Sequence, residues 1–411
     1  VILTVTLNTA LDITYRTSAL VPHTTHHVGE VIERPGGKGL NVARVLAALG
    51  HETVVTGFAG GRTGDVLREL LANPALFTDT GAGPAHGAHG GHGGPRSRPG
   101  RDTPRPRAAG QGHVAGHGVG PGAPGGRDGR DGREIRDSRD GKDGGGPAHR
   151  PGGSRSGHHR RGAGTGHRPG AGPAHRVTRP VDALVPIAGS TRRTIAVVDG
   201  TSGGTTQLNE PGPTVSAAEW NAFLSAYERL LTGADAVALC GSLPPGIHVG
   251  AYAELIRRAH GAHVPVLLDT SGEPLRRGVA ARPDLLKPNA EELAGLTGSR
   301  EPLRAAQDAR RRGAHAVIAS LGPDGILAAT ADGVWQAVPP AAVKGNPTGA
   351  GDSAVAGLLS GLVERLPWPA RLSRAVALAT ATVLAPAAGE FDAEAYADLL
   401  PRVTVKEHPP A

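Results

Sequence analysis

Apolar positions along this chain fall into short β-branched runs that alternate with stretches of helical period. VILTVTL at 1–7 reads as a buried strand, and GLNVARVLAALG at 39–50 as a helix ended by Gly50. ETVVTGFAG at 52–60 and GDVLRELLA at 64–72 repeat the strand-then-helix order. The pattern resumes at VDALVPI (181–187) and RRTIAVVD (192–199), both strand-like, followed by the amphipathic run SAAEWNAFLSAYERLL (216–231) with Ser216 as its cap. Strand and turn follow in ADAVALCGSLPPG, helix and strand in AYAELIRRAHGAHVPVLLDTSG, and strand, turn and helix in DLLKPNAEELAGLTG. AHAVIASLGPDGILAAT reads as strand, turn and strand, and SRAVALATATVLAP as a helix near the end. Such alternation predicts an α/β fold with a mostly parallel sheet covered by helices. Residues 1–76 and 181–400 together would form one core, with 401–411 left as a tail.

Between them the pattern stops. Residues 77–180 are rich in Gly, Arg, Pro and His, with no periodicity and few large apolar residues. A segment of that composition cannot bury enough apolar surface to offset the entropy of ordering it, so disorder is expected. Fragments such as GPAH recur without a fixed period, which is low complexity rather than a solenoid. The formal charge of the whole chain is +7. All of that excess falls in this insert, and the remainder is slightly acidic. Three readings compete: a tolerated surface loop, out-of-frame translation of a GC-rich gene, and a basic arm for nucleic acid. Seven acidic residues and no Phe, Tyr or Trp among 81–180 argue against the last, because single strands want stacking platforms. One cysteine, Cys240, excludes an intrachain disulfide and suits a reducing, cytoplasmic setting, where it reads as a small buried hydrophobe. No run approaches the roughly 18 apolar residues of a membrane span, and the first residues have no signal-peptide pattern.

Four clusters stand near predicted strand ends, where open α/β sheets bind ligands. In NPTGAGDSAVAGLLSGL (346–362), Asp352 lies among small residues at the mouth of a helix. The free N–H groups of such a helix start attract an anion, and Gly349, Ala350 and Gly351 let it approach closely. A carboxylate there can take a proton from a nucleophile attacking a phosphate, and it can equally be an ordinary helix cap. ERPGGKGLNVAR (33–44) opens another helix with glycines around Lys38, without the spacing of a P-loop. Asp12 follows the first strand, where it reads as a hydroxyl-binding carboxylate or an exposed turn residue. Asn289 and Glu292, three apart at a helix start, suit Mg²⁺ through its waters or a capping box.

Taken in order, PGGKGLNVAR, LNEPGP (208–213), GSLPPG (241–246), KPNAEEL (287–293), SLGPDG (320–325) and NPTGAGDSAVAGL resemble the signatures of the ribokinase-like pfkB carbohydrate kinases. The resemblance covers about residues 1–76 and 181–400. It implies a three-layer sandwich whose central sheet is capped by a small β lid drawn from about 13–34 and 187–211. It implies ATP and Mg²⁺ as cofactors, with Asp352 as general base and Gly349, Ala350 and Gly351 as the anion hole. Asn289 and Glu292 would support Mg²⁺ through water, and Lys287, Ser320 and Gly322 would contact the nucleotide. Asp12, Gly36, Gly37 and Asn41 match sugar-binding positions.

TVTLNTALD, PGGKGLNVAR and LNEPGP look like the 1-phosphofructokinase and tagatose-6-phosphate kinase branch. That branch implies a phosphosugar substrate whose phosphate needs cations. Arg192 aligns with the lid arginine, and Lys38 and Ser242 are its helpers. Fructose 1-phosphate is the expected acceptor, with tagatose 6-phosphate the alternative. A homodimer through the lid is also implied, and neither membrane nor nucleic acid is expected as a partner. The chain departs from the branch at Asn8-Thr9-Ala10, where relatives read Asn-Pro-Ala, and at His26-His27, where relatives carry a basic lid pair. A non-catalytic member with a lid damaged by the insert is the alternative of another class.

Overall fold

The computed structural model describes residues 1–73, 178–385 and 387–408. Of the insert expected at 77–180, only Thr178–Pro180 fall among them, so its expected disorder lies outside the described residues. The first stretch holds β1 (Ile2–Thr6), β2 (Ala10–Thr17), β3 (Glu30–Gly36), α1 (Lys38–Ala48), β4 (Thr53–Ala59) and α2 (Gly61–Ala72). After the insert come β5 (Val181–Asp182), β6 (Val185–Pro186), β7 (Arg192–Asp199), β8 (Thr205–Asn209), α3 (Ala217–Leu231), β9 (Ala236–Cys240), α4 (Ala251–Gly261), β10 (Val266–Asp269), α5 (Gly272–Val279), β11 (Leu285–Leu286), α6 (Ala290–Thr297), α7 (Pro302–Arg311), β12 (Ala316–Ser320), β13 (Ile326–Ala329), β14 (Val334–Val338), α8 (Ala350–Val363), α9 (Trp368–Val383), α10 (Ala393–Leu399) and β15 (Thr404–His408).

The main sheet runs in the order β15-β14-β13-β12-β11-β10-β9-β1-β4-β5, with β6 also on β4. From β12 through β9 and β1 to β4 every pairing is parallel, and β12 to β15 are antiparallel. Alternate residues of each strand face opposite layers, as the two-residue period of a strand requires. Val237 and Leu239 of β9 join Phe223 of α3, Ile256 of α4 and Leu293 of α6 in one core. Ala236, Ala238 and Cys240 join Val42 of α1, Leu358 of α8 and Leu378 of α9 in the other. The result is the expected three-layer sandwich.

Chain order reverses at β1, which has β4 on one side and β9 on the other. Their carboxyl ends part there and leave a crevice, the usual ligand site of an open α/β sheet. Over it stands a second sheet, β3-β2-β7-β8. Its register sets Asp12 opposite Arg34 on one side and Thr194 on the other, so all three side chains leave the same face.

Three differences from the sequence reading concern the edges. Residues 404–408, expected in a tail, form β15 and pair along the whole of β14. Neither β14 nor α10 was expected, because VWQAV and AEAYADL are too short to carry a period. The lid strands begin earlier and end later than 13–34, from Ala10 to Gly36.

The start of α1 is pressed onto β1. A Cβ on Gly39 would come 2.4 Å from Thr6 Oγ1 and 2.9 Å from the Val5 carbonyl oxygen. Backbone cannot yield as a flexible side chain does. Gly39→Val is therefore expected to destabilise the protein by about 1–3 kcal/mol, the usual range for overpacking. Urea unfolding measures it, and an unchanged midpoint would show that α1 has room to move.

Candidate active site

The stretch that opens α8 is shaped by Gly349, which takes the left-handed conformation at φ 86° and ψ −7° as the residue before the helix. A Cβ there would lie 3.0 Å from Ala388 Cα, so both the dihedral and the space call for glycine. Ala350 N–H donates to Pro347 O at 3.2 Å, and the first helical bond is Ser353 N–H to Gly349 O at 2.9 Å. Of the Gly349–Gly351 N–H groups only that of Ala350 is thus engaged, which leaves those of Gly349 and Gly351, with that of Asp352, for a ligand. Asp352 is 7% exposed, and Asn41 Nδ2 of α1 donates to its Oδ2 at 2.9 Å. Burial raises the Asp352 carboxyl to about 7. Asp269 adds to the rise, while Lys38, the Asn41 hydrogen bond and Lys287 oppose it.

Those two lysines converge on one carboxylate. Lys38 Nζ donates to Asp269 Oδ1 at 3.1 Å, and Lys287 Nζ lies 3.7 Å from the same oxygen. Asp269 is 1% exposed and Lys287 is 4% exposed. Burial alone would lower the Lys38 ammonium, but Asp269, Asp352 and Glu292 outweigh it and its pKa is raised. Lys287 Nζ also sits 3.6 Å from where a Cβ on Gly351 would be, beside the free N–H groups. Asp269 was missed in the sequence. Its signal was a carboxylate at the carboxyl end of the strand VPVLLD, one strand from the switch point. Its Oδ2 is buried without a hydrogen bond.

On the lid side, Asp12 fills the space above Gly36, where an added Cβ would lie 2.1 Å from its Oδ1. Burial raises Asp12 to about 6, against the pull of Arg192, a Thr194 hydrogen bond and Arg44. Gly37, at φ 110°, precedes α1 as its cap residue. Asn8 Nδ2 donates to Ser242 Oγ at 3.1 Å across the switch point, and Asn8 Oδ1 has no partner. Arg192 makes only long contacts: Nε to Asn8 O at 3.3 Å, and Nη1 to Thr194 Oγ1 and Glu210 O at 3.4 Å each. It borders a cavity of about 540 Å³ lined also by Ser190, Arg193 and Pro213. His26 is turned back onto Val21 of its own loop, with Nε2 2.8 Å from the Val21 carbonyl oxygen.

A cleft of about 780 Å³ opens on the other side of Gly351. Asn289, Ser320 and Gly322 line it, with an apolar wall from Ile326, Ala354, Val376 and Val383. A parallel bridge between Asn289 and Ser320 holds the two turns together. Asn289 and Glu292 form a reciprocal capping box. Asn289 N–H donates to Glu292 Oε2 at 2.9 Å and Glu292 N–H to Asn289 Oδ1 at 2.8 Å. Cys240 is fully buried, and burial pushes its thiol up, as a core residue's would be. No helix among the described residues is long and apolar enough to cross a membrane.

An open α/β sheet with a β lid at its switch point, a buried carboxylate at a glycine-opened helix and a long adjoining cleft is the architecture of a small-molecule kinase. A profile of the pfkB family carbohydrate kinases matches residues 5–79 and 180–395, and the chain belongs to that family. The interruption of the match falls on the low-complexity insert. A 1-phosphofructokinase of Rhodobacter capsulatus is 39% identical over 241 residues, 56% of this chain and 75% of the relative. Phosphofructokinase-2 of Escherichia coli in complex with fructose-6-phosphate superposes with a TM-score of 0.65 at 23% identity, covering 97% of this chain and 98% of that one. Its tetrameric inhibited form gives 0.66 at 22%, with the same coverage. At such identities the likeness carries the fold alone. The chain is an ATP-dependent carbohydrate phosphotransferase.

Asp352 also has a signature in stability. Its folded pKa of about 7 lies above the value of 3.8 of a free side chain, so the folded state holds the proton more tightly. The stability this supplies is present at low pH and lost as pH rises through about 7. Asp352→Asn is therefore expected to gain stability over the parent between pH 5.5 and 8, by on the order of 1–3 kcal/mol. Denaturant midpoints at the two pH values measure it. A constant difference would show that Asp352 is charged throughout.

Proposed function

We propose that the protein phosphorylates fructose 1-phosphate at its 6-hydroxyl to give fructose 1,6-bisphosphate, with Asp352 as general base. One observation carries the reading. Asp352 is buried at a glycine-opened helix, hydrogen-bonded to Asn41, between the lid face bearing Asp12 and the 780 Å³ cleft. A base with a pKa near the working pH both holds its charge and accepts a proton readily. Asn41 fixes which carboxylate oxygen is free. Asp12 binds sugar hydroxyls, with Gly36 and Gly37 letting the ring approach. Arg192, lacking a carboxylate partner within hydrogen-bond reach, takes the substrate's own phosphate, with Lys38 and Ser242 on the floor below.

ATP enters along Asn289, Ser320 and Gly322, with its γ-phosphate at the N–H groups of Gly351 and Asp352 and at Lys287. Those donors stabilise the equatorial charge of the transferred group. The residues fit Mg²⁺ held through water. The capping box occupies only Oε2 of Glu292, and no cluster of three or more His, Cys, Asp or Glu among the described residues suits a directly ligated metal. Bound there, Mg²⁺ would neutralise phosphate charge. The 1-phosphofructokinase relative supports the acceptor, and tagatose 6-phosphate is its rival.

We place residues 1–76 and 181–400 in one discontinuous kinase domain, in the cytoplasm, where the free thiol of Cys240 stays reduced. The lid's intact four-strand register supports a working enzyme over a lid-damaged one. Val31 and Leu208, 56% and 57% exposed, lie on the lid face opposite Asp12, which supports a homodimer through the lid. Sedimentation should give twice the chain mass, and a monomer at micromolar concentration would refute that pairing.

The activity itself is tested by a coupled assay offering both phosphosugars, ribose and adenosine. Fructose 1-phosphate should give the highest kcat/KM. Asp352→Asn should lower kcat by at least about 10²-fold, a typical share for a positioned base. Arg192→Ala should raise KM for the phosphosugar and leave that for ATP nearly unchanged. ATP binding without turnover of any acceptor would favour the non-catalytic alternative.

A further inference from the structure

A charged cluster between the lid and the base has no part in the reading above. Arg44 of α1 is 2% exposed. Its Nη1 donates to Ala388 O at 2.8 Å and its Nη2 to Glu390 Oε1 at 2.7 Å. The same carboxylate oxygen accepts from Nε of Arg34, on lid strand β3, at 3.0 Å. Glu390 is 23% exposed and Arg34 24%, so this is a shielded pair rather than a surface one. Arg34 is the residue directly opposite Asp12 in the lid register.

The short segment that carries Glu390 also touches the catalytic side. Gly389 would meet Asn41 Oδ1 at 3.0 Å and Arg44 Nη1 at 2.8 Å if it had a Cβ. Ala388 presses on Gly349, as described above. Asn41 lies one helical turn before Arg44 on α1 and holds Asp352. One carboxylate therefore links a lid strand, the first helix and the turn before the anion-binding helix.

The energetics give the two arms different characters. A buried guanidinium without its anion is costly, so the Arg44–Glu390 arm is permanent. Arg34 is partly solvated and sits on a sheet joined to the core by short connections, so its arm can open. We propose that Glu390 is a positioning residue that couples the lid to the base. Arg34 docks the lid on Glu390, and through Ala388 and Gly389 the same segment seats Gly349, Asn41 and hence Asp352. The inference rests on the kinase reading and adds to it a reason for the base to be in place when the lid is down.

Arg34→Gln and Glu390→Gln test it, singly and together. Arg34→Gln is expected to raise KM for the sugar acceptor by about 5- to 20-fold, with KM for ATP within about twofold, as a coupling of ordinary size would. The double variant should be no worse than the worse single one, because both remove the same link. In the free protein, with no substrate present, Arg34→Gln should speed amide exchange over 345–352 by about fivefold or more. Unchanged exchange there, with exchange raised in the lid only, would overturn the proposal, as would multiplicative effects in the double variant. The exchange measurement needs no acceptor, so failure of the substrate assignment is distinguishable from failure of the coupling. Should Glu390→Gln not fold because Arg44 has lost its anion, Arg34→Gln decides by itself.

Discussion

Two buried carboxylates, the buried ammonium of Lys287 and the half-exposed one of Lys38 meet at the end of three parallel strands, and the site depends on how they balance. Asp269 is nearly inaccessible and is neutralised by Lys38 and Lys287. Asp352, beside them, is left with an amide donor and no direct cation. A buried charge that is not paired shifts its pKa instead of paying the full desolvation penalty. That is why Asp352 is pushed up while Asp269 serves as an anchor. Were the lysines to pair with Asp352, its carboxyl would be held lower, which would make it a poorer base in the proposed reaction. In the proposed reaction, Asp269 would hold both cations beside the N–H groups of Gly351 and Asp352.

The sheet makes this balance available. β1, β9 and β10 end at the same level, which sets Asp269 level with Thr6 and Cys240 and lets Asn8 and Ser242 meet two residues further on, below the lid. α1 must start close above β1 for Lys38 and Asn41 to reach down from its first turn. Gly39 permits that approach, and Gly37 supplies the positive φ needed to enter the helix. The glycines of PGGKG thus serve backbone proximity at least as much as ligand access. The same holds for Gly349, which faces Ala388 rather than open space.

Most elements with a clear period were legible, although α5 and the capped α7 went unread. The helix-covered parallel sheet, α1 and α3 followed from local runs, and the three-layer order and the β lid from the family resemblance. What else escaped was short and tertiary. β14, β15 and α10 are five to seven residues long and owe their form to neighbours that the local text does not reveal. Within the site, the residues singled out from the sequence were those embedded in signatures, and Asp269 and Glu390 were not among them. Each stands alone in its stretch, and each acts by accepting hydrogen bonds from cations more than two hundred residues away. No local spacing encodes such a pairing. Asn289 and Glu292 show the converse: their spacing suits both a capping box and water-mediated metal support, and the first arrangement is present without excluding the second.

The place where the insert joins the fold explains how a kinase core can carry it. Ala72 ends α2, and Arg179 is the second described residue after the gap, yet Arg179 Nη1 donates to Ala72 O at 3.1 Å. Thr178 Oγ1 likewise donates to His51 O at 2.7 Å. The chain therefore leaves and re-enters the core at nearly one point, beside β4 at the edge of the sheet away from β14 and β15. Closing a loop whose ends already meet costs little more as it lengthens, because the entropy grows only with the logarithm of its length. No strand of the parallel core has to cross the junction, and β5 and β6 return at once to β4. Lid strands β2 and β3 precede the insert, and β7 and β8 follow only after that return. Length added between Ala72 and Thr178 thus falls between the two halves of the lid sheet and leaves β2 paired with β7 along both strands.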